Sequence, residues 1–261
     1  MDMKLKMERL AQSGDDRVLL AKVYEKLNRA RCSNTPGFSC FLSLREQDLV
    51  LRLMGQEGLT FFGGYEGAER AIAAFLPDYL DADCLYEEDG PITCLRATFF
   101  EKDKLTHRDF LGSLMGCGVK RETVGDICVG VGSCDFFVLR EIAPYIEQNL
   151  LSAGRVRLHV EVIPLSQANI PVQETILRRD TLASLRLDSV ISSGFRISRG
   201  QATKYVQSGV VSVDGLPVVK PDKQVGEGTV ISLRGLGKIR LTEVKGQTKK
   251  GRISVEIEKF V

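Results

Sequence analysis

Between Ile92 and Ile163 the chain switches repeatedly between strand-like alternation and helical spacing, and this pattern restricts the fold more than any other feature. Ile92 to Phe100 reads as a strand. Thr106 to Cys117 reads as a helix, with Thr106 as its cap and Asp109 three residues on. Asp126 to Val131 and Cys134 to Leu139 read as strands joined by a tight Gly132-Ser133 turn. Glu141 to Leu151 is a second helix closed by Gly154, and Arg155 to Ile163 alternates as a last strand. The order β-α-β-β-α-β is the split-βαβ, ferredoxin-like arrangement, which RNA-recognition folds share. Their base-stacking aromatics are reduced here to Phe136 and Phe137. Neighbours on a strand point to opposite faces, so one of the two is expected in the core and the other is a candidate for stacking a base.

The flanks differ from this middle part. Up to about Ala82 the chain reads as mainly helical: Val18, Leu19, Ala21, Val23 and Leu27 recur at helical spacing, Asn34-Thr35-Pro36-Gly37 marks a loop, and Ser43 with Glu46 opens a second helix. From Thr181 to the end, Leu182 to Ser192 reads as a helix ended by Gly194. Ser198 caps a second helix with Gln201 at its third position, and Gly209 stops it. Val210 to Val213 and Leu216 to Val219 form a hairpin about Asp214-Gly215. Val230 to Leu233 is a further strand, and Ile239 to Val244 and Ile253 to Ile257 pair across a basic loop. The reading is therefore an α+β chain in three parts: 1–82 mainly helical, 83–167 RNA-recognition-like, and 181–261.

Charge separates these parts. Residues 181–261 hold 14 Lys and Arg against 7 Asp and Glu, whereas the remainder holds 22 against 27. Such a split suggests a polyanion-binding module attached to a body with another task. The seven cysteines, Cys32, Cys40, Cys84, Cys94, Cys117, Cys128 and Cys134, show no two-residue spacing and read as buried, reduced thiols of a cytoplasmic protein. With two histidines as well, no metal site and no cofactor are expected. Met1 to Asp16 lacks the apolar stretch of a secretory signal, and no apolar run approaches the roughly 18 residues of a membrane span.

Three blocks in the last part carry a resemblance. Arg186-Leu187-Asp188, then Ile197-Ser198-Arg199-Gly200-Gln201-Ala202, then Gly209-Val210-Val211-Ser212-Val213-Asp214-Gly215 resemble the S4-type RNA-binding domain in order and spacing. Asp214 stands where that pattern has Asn, and Gly226-Glu227-Gly228 where it has Gly-Asp; both lie in turns, where Asn and Asp act alike. Earlier blocks narrow the resemblance: Gly63-Gly64-Tyr65-Glu66-Gly67-Ala68-Glu69-Arg70, Leu105 to Gly112, Gly118-Val119-Lys120-Arg121-Glu122, Gly125-Asp126-Ile127, and Ser232 to Lys238. With these the chain resembles the YlmH family, which includes the photosystem II S4-domain proteins. The resemblance implies an S4-type end and a role on the large ribosomal subunit, in rescue of stalled peptidyl-tRNA complexes during ribosome-associated quality control. A link to cell division is also implied.

A-form RNA hides its base edges, so structured rRNA or tRNA is gripped through phosphates, 2′-hydroxyls and shape. The residues suited to this are Arg186, Arg196, Arg199, Gln201, Lys204, Lys220, Lys223, Arg234, Lys238 and Arg240, expected to converge in one cradle. Arg199 opens its helix, where free backbone N–H groups also favour an anion. A second RNA contact is expected from His107, Arg108, Lys120 and Arg121 on the middle part. One such module per chain requires no dimer, so a monomer is expected, with no membrane partner.

No catalytic residue is assigned. His107-Arg108-Asp109 has Leu114 where a kinase catalytic loop needs Asn, and the Gly63-Gly64 block lacks the Lys-Ser/Thr of a phosphate loop. The rival readings are an RNA-modifying enzyme, a pseudouridine synthase or methyltransferase, and a protein-interaction scaffold working through the acidic body. For the enzyme, the split-βαβ part is too small to add a cofactor-binding α/β domain.

Overall fold

The computed structural model describes residues 3–171, 175–247 and 251–260. Two compact units divide between residues 171 and 172.

The first unit opens with α1 (Met3–Leu10) and α2 (Gly14–Ser33). The Ser13 side chain accepts the Asp16 N–H at the start of α2, and Asn34 closes that helix in the left-handed conformation. β1 (Gly37–Leu42), α3 (Leu44–Met54), β2 (Leu59–Phe62) and β3 (Ala71–Phe75) follow, and the strands pair antiparallel in the order β1-β3-β2. The helices read from the sequence are present, α3 with a complete Ser43–Glu46 capping box. The sheet among them was not legible. Phe38 to Leu42 and Ala71 to Phe75 are short apolar runs, and such runs do not distinguish a strand from a buried helical segment. Leu20, Val23 and Leu27 of α2 and Leu49, Val50 and Leu53 of α3 pack on Leu42 and Ala73.

β4 (Ile92–Thr98), α4 (His107–Gly116), β5 (Val124–Val129), β6 (Ser133–Leu139), α5 (Ala143–Asn149) and β9 (His159–Ile163) complete the unit, with a small hairpin of β7 (Ser152–Ala153) and β8 (Val156–Arg157) before the last strand. The sheet order β5-β6-β4-β9 is that of the ferredoxin-like arrangement. Three local readings change. The turn pair is Val131-Gly132, closed by the Gly130 N–H on the Ser133 carbonyl at 2.8 Å, and Ser133 already belongs to β6. The second helix starts as a 3-10 turn at Arg140 and ends at Asn149. The strand expected from Arg155 is split into β8 and β9.

Neither face of this sheet is open. Leu95, Phe136 and Val138 pack under Phe110, Leu114 and Ile146 of the helices. On the other face Cys94, Phe137 and Ile163 pack on Phe41, Phe62 and Ile72 of the N-terminal sheet. Phe136 and Phe137 are both 0% exposed, so neither can stack a base. The stacking expectation failed because a second layer, unseen in the sequence pattern, covers the face that carries Phe137.

The second unit holds β10 (Thr175–Leu182), α6 (Leu187–Phe195), α7 (Arg199–Gln207), β11 (Val211–Val213), β12 (Leu216–Pro217), β13 (Val230–Leu233), β14 (Gly237–Gln247) and β15 (Ile253–Phe260). Its six strands pair antiparallel in the order β10-β15-β14-β13-β11-β12, and α6 and α7 cover one face. Leu182, read as the start of a helix, belongs to β10, and the helix begins five residues later. Gly194 lies inside α6 instead of ending it. A side chain there would meet Ile239 Cδ1 at 2.5 Å, so glycine lets the helix lie close on the sheet. The hairpin reading about Asp214-Gly215 holds, with both residues at positive φ.

Candidate nucleic-acid interface

The start of α6 is organised by Asp188, which is 3% exposed. Its Oδ1 accepts from Arg186 Nε at 3.2 Å and Arg199 Nη2 at 3.4 Å; its Oδ2 accepts from Arg199 Nε at 3.1 Å and Arg186 Nη2 at 3.2 Å. Burial pushes this carboxyl up, but the two guanidiniums outweigh it and the net shift is downward. The Asp188 bonds occupy two of the five N–H donors on each arginine. The arginine side chains keep 36% and 53% of their surface. Two cations are thus held side by side at the entrances of two helices, sharing one carboxylate, so one positive charge remains in excess.

The chain after the hairpin is strapped to the same place. The Leu187 N–H donates to the Lys223 carbonyl at 2.8 Å and the Asp188 N–H to the Pro221 carbonyl at 3.0 Å, while Arg186 and Gln224 form an isolated bridge. This brings the segment carrying the exposed Lys220 and Lys223 against the start of α6. Lys204 is exposed on α7. The Gln201 side-chain oxygen accepts the Ser198 N–H at 3.0 Å and so completes the capping box. Arg196 ends α6 at φ 55° with its side chain exposed.

The remaining candidates do not join this cluster. On β14, Ile239 and Leu241 lie in the core, so Lys238 and Arg240 point away from the helices. There both cations sit over the Phe260 ring, at 5.5 and 5.3 Å, and Arg240 pairs with Glu258 at 3.6 Å. Arg234 is exposed in the turn between β13 and β14. The single cradle expected from the sequence is therefore two surfaces: one at the helix entrances, and one on the outer face of the sheet.

In the first unit, the second expected contact is also divided. Arg121 Nη1 donates to the carbonyls of Val124 at 2.6 Å and Gly125 at 3.2 Å, and Arg70 reaches the Arg121 carbonyl and the Val124 carbonyl. Burial, reinforced by the Arg70 charge, lowers Arg121 to about 10. This residue braces the entry to β5. Partial burial and the Arg121 charge lower His107, favouring its neutral form. Arg108 and Lys120 are exposed. Asp126, part of the Gly125-Asp126-Ile127 block but not read as a site residue, accepts from Tyr65 Oη at 2.9 Å and from the N–H groups of Glu69 and Arg70 at 2.7 and 3.1 Å, tying the glycine-rich block to the sheet.

Among the described residues no group of three or more His, Cys, Asp or Glu side chains could hold a metal ion, and no helix is long and apolar enough to cross a membrane. Burial pushes the thiols of Cys94 and Cys128 up to about 12 and about 11, far from a reactive thiolate at neutral pH.

A family model described as "Putative RNA-binding domain in YlmH" matches residues 90–167, and the S4 domain model matches residues 185–231. The "Ribosome-associated protein quality control protein P2" of Bacillus subtilis (strain 168) is 36% identical over 222 residues, which is 84% of this chain and 85% of that protein. The chain belongs to the YlmH family. Among solved structures, "Cell division protein ylmH from Streptococcus pneumoniae" is similar at 23% identity and a TM-score of 0.49, over 62% of this chain and 98% of that one. In this YlmH-family member the S4 match takes in Arg186, Asp188, Arg199 and the Lys220–Lys223 segment, and it stops before Arg234, Lys238 and Arg240. The match over 90–167 coincides with the ferredoxin-like sheet and its helices. Two domains of RNA-binding type thus lie one in each compact unit.

Proposed function

We propose that this chain is a non-catalytic, cytoplasmic RNA-binding protein, active as a monomer. It grips structured rRNA, and tRNA beside it, on the large ribosomal subunit and serves the quality control of stalled peptidyl-tRNA complexes. The observation that carries the reading is the Asp188 carboxylate holding Arg186 and Arg199 in fixed register at two helix entrances. A-form RNA offers regularly spaced phosphates, and rigid cations match such spacing at low entropic cost. The likeness to the Bacillus subtilis quality-control protein supports the ribosomal setting. The RNA residues proposed are Arg186 and Arg199 at the helix entrances, Arg196 at the end of α6, Lys204 in the last turn of α7 and Lys220 and Lys223 in the strap, with Arg234, Lys238 and Arg240 as a separate outer surface. Arg108 and Lys120 make the contact from the first unit. Gln201, His107 and Arg121 are proposed as supports of these surfaces.

Sedimentation with bacterial ribosomal subunits in sucrose gradients tests the reading. The wild type is expected to travel with large subunits, more so when they carry peptidyl-tRNA, and to be released by salt. The Arg186→Ala/Arg199→Ala variant is expected to stay at the top of the gradient. Retention of that variant on large subunits, or wild-type protein found with small subunits alone, overturns the assignment. Nucleoside composition of rRNA incubated with the protein is expected to stay unchanged, as befits a non-catalytic binder.

A further inference from the structure

α6 ends in a Schellman motif: the Arg196 N–H donates to the Ser193 carbonyl at 3.3 Å and the Ile197 N–H to the Ser192 carbonyl at 3.1 Å. The residue after such a helix adopts the left-handed conformation, and Arg196 does so at φ 55° and ψ 46°. Glycine is favoured there because any Cβ is strained in that region. A long cationic side chain is therefore kept at a position where its backbone is at a disadvantage. Its guanidinium makes no hydrogen bond or ion pair among the described residues. A backbone outlier with an idle charged side chain points to work done by that side chain.

The place it occupies shows what that work is. Arg196, Arg199 and Arg252 line one groove of about 410 Å³ beside α6. Arg252 is anchored there by donating to the Thr181 hydroxyl at 3.0 Å and to the Thr181 carbonyl. One carboxylate, Asp180, also lines the groove, and it already accepts from the Ser193 hydroxyl at 2.5 Å and from the Thr181 N–H at 2.7 Å. The Ser192 hydroxyl donates to the Ile197 carbonyl at 2.7 Å. The serine protons are thus engaged, and the groove presents guanidinium N–H groups to an incoming ligand. Arg196 brings an unengaged guanidinium to this groove beside Arg199, which shares Asp188 with Arg186, and planar guanidiniums select phosphoryl oxygens.

We infer that this groove is a seat for a backbone phosphodiester of bound RNA. It is continuous, through Arg199, with the Asp188 cluster, and built partly by Arg252 and β10, outside the matched S4 segment. The inference rests on the RNA-binding reading and adds a phosphate site to it. The seat extends the RNA track from the entrance of α7 along the side of α6 towards the β10 edge of the sheet.

The test uses the full chain and a fluorescein-labelled A-form RNA hairpin, followed by anisotropy across a salt series. Arg196→Gly removes the guanidinium and relieves the backbone, so its thermal midpoint is expected to equal or exceed that of the wild type. Its affinity is expected to fall several-fold at low salt. Its log–log salt slope should shrink by about 0.7–0.9, because one phosphate fewer is neutralised. Arg252→Gln is expected to do the same, and Arg196→Lys to recover part of the slope. Unchanged affinity and slope in Arg196→Gly, while Arg186→Ala/Arg199→Ala loses binding, overturns the seat and leaves the wider reading intact. Failure of the wild type to bind the hairpin overturns both. Calorimetry with inorganic phosphate separates the two sources of a phosphoryl anion. Heat that depends on Arg196, with RNA binding unmoved, assigns the groove to a free anion and overturns the RNA phosphodiester.

Discussion

Replacing Asp188 by Asn removes one negative charge from a basic surface, so charge counting alone predicts tighter RNA binding. The geometry predicts the opposite. The amide keeps one oxygen to accept from a guanidinium, but its NH2 group faces N–H donors that the second carboxylate oxygen had accepted, so two of the four hydrogen bonds break. A hydrogen bond to a charged group contributes about 1.5–3 kcal/mol in full burial. Arg186 and Arg199 keep 36% and 53% of their side-chain surface, and solvent screening reduces the loss to about 2 kcal/mol for the two bonds together. Once released, both arginines must be ordered again on binding, at about 0.5–1.5 kcal/mol each. The added net charge offsets about 1 kcal/mol of that. The expected result is a stability loss of about 2 kcal/mol by urea unfolding and RNA binding weakened by up to about thirtyfold, by anisotropy on a hairpin RNA. A variant that binds RNA more tightly than the wild type, at unaltered stability, would refute the claim that the carboxylate orders the two cations.

Two further outcomes follow from the first unit. Asp16, 4% exposed, is held by Arg45 through bonds of 2.9 and 2.5 Å, and this partner lowers its carboxyl from 3.8 to about 2 against the opposing effect of burial. Because the folded-state value is the lower one, the stabilisation is complete above pH of about 4 and is lost as pH falls through about 2; urea midpoints between those pH values should drop in the wild type and stay flatter in Asp16→Asn, which is less stable by about 2 kcal/mol at pH 7. Gly64 sits at φ 97°, and a Cβ there would lie 2.4 Å from Phe137 Cδ1, so Gly64→Ala should lower stability by at least about 2 kcal/mol, seen as an earlier thermal midpoint.

What could be read from the sequence was whatever depends on near neighbours. The capping pairs Ser43–Glu46, Thr106–Asp109 and Ser198–Gln201 are all present, because each is made between residues three apart. The split-βαβ order was legible for the same reason: each strand and helix carries its own period. The N-terminal sheet was not, since β3 is buried from Ala71 to Ala74, where continuous burial erases alternation, and β1 is a short, mostly apolar segment that does not distinguish a strand from a buried helix. Phe137 shows the consequence. Alternation on β6 separates it from Phe136, but only the layer containing Phe41 and Ile72 decides whether its face meets solvent.

The candidate site divides along the same line. Arg186 and Arg199 were found through local pattern, whereas the carboxylate that joins them acts across eleven residues and two helices. For Lys238 and Arg240 the deciding signal was present and unused. They flank Ile239, and Leu241 follows, so a strand that buries Ile239 and Leu241 against helices must turn both lysine and arginine to its other face. Nothing local marks Arg252, because its groove is assembled from β10, the end of α6 and the start of β15's hairpin arm. Charge in this unit is therefore a poor guide to function until its placement is known. Of the cations it carries, those whose position is set by Asp188, Thr181 or a helix terminus are held in a defined geometry. Those resting on Phe260 lie on the other face of the sheet, where Arg240 also pairs with Glu258.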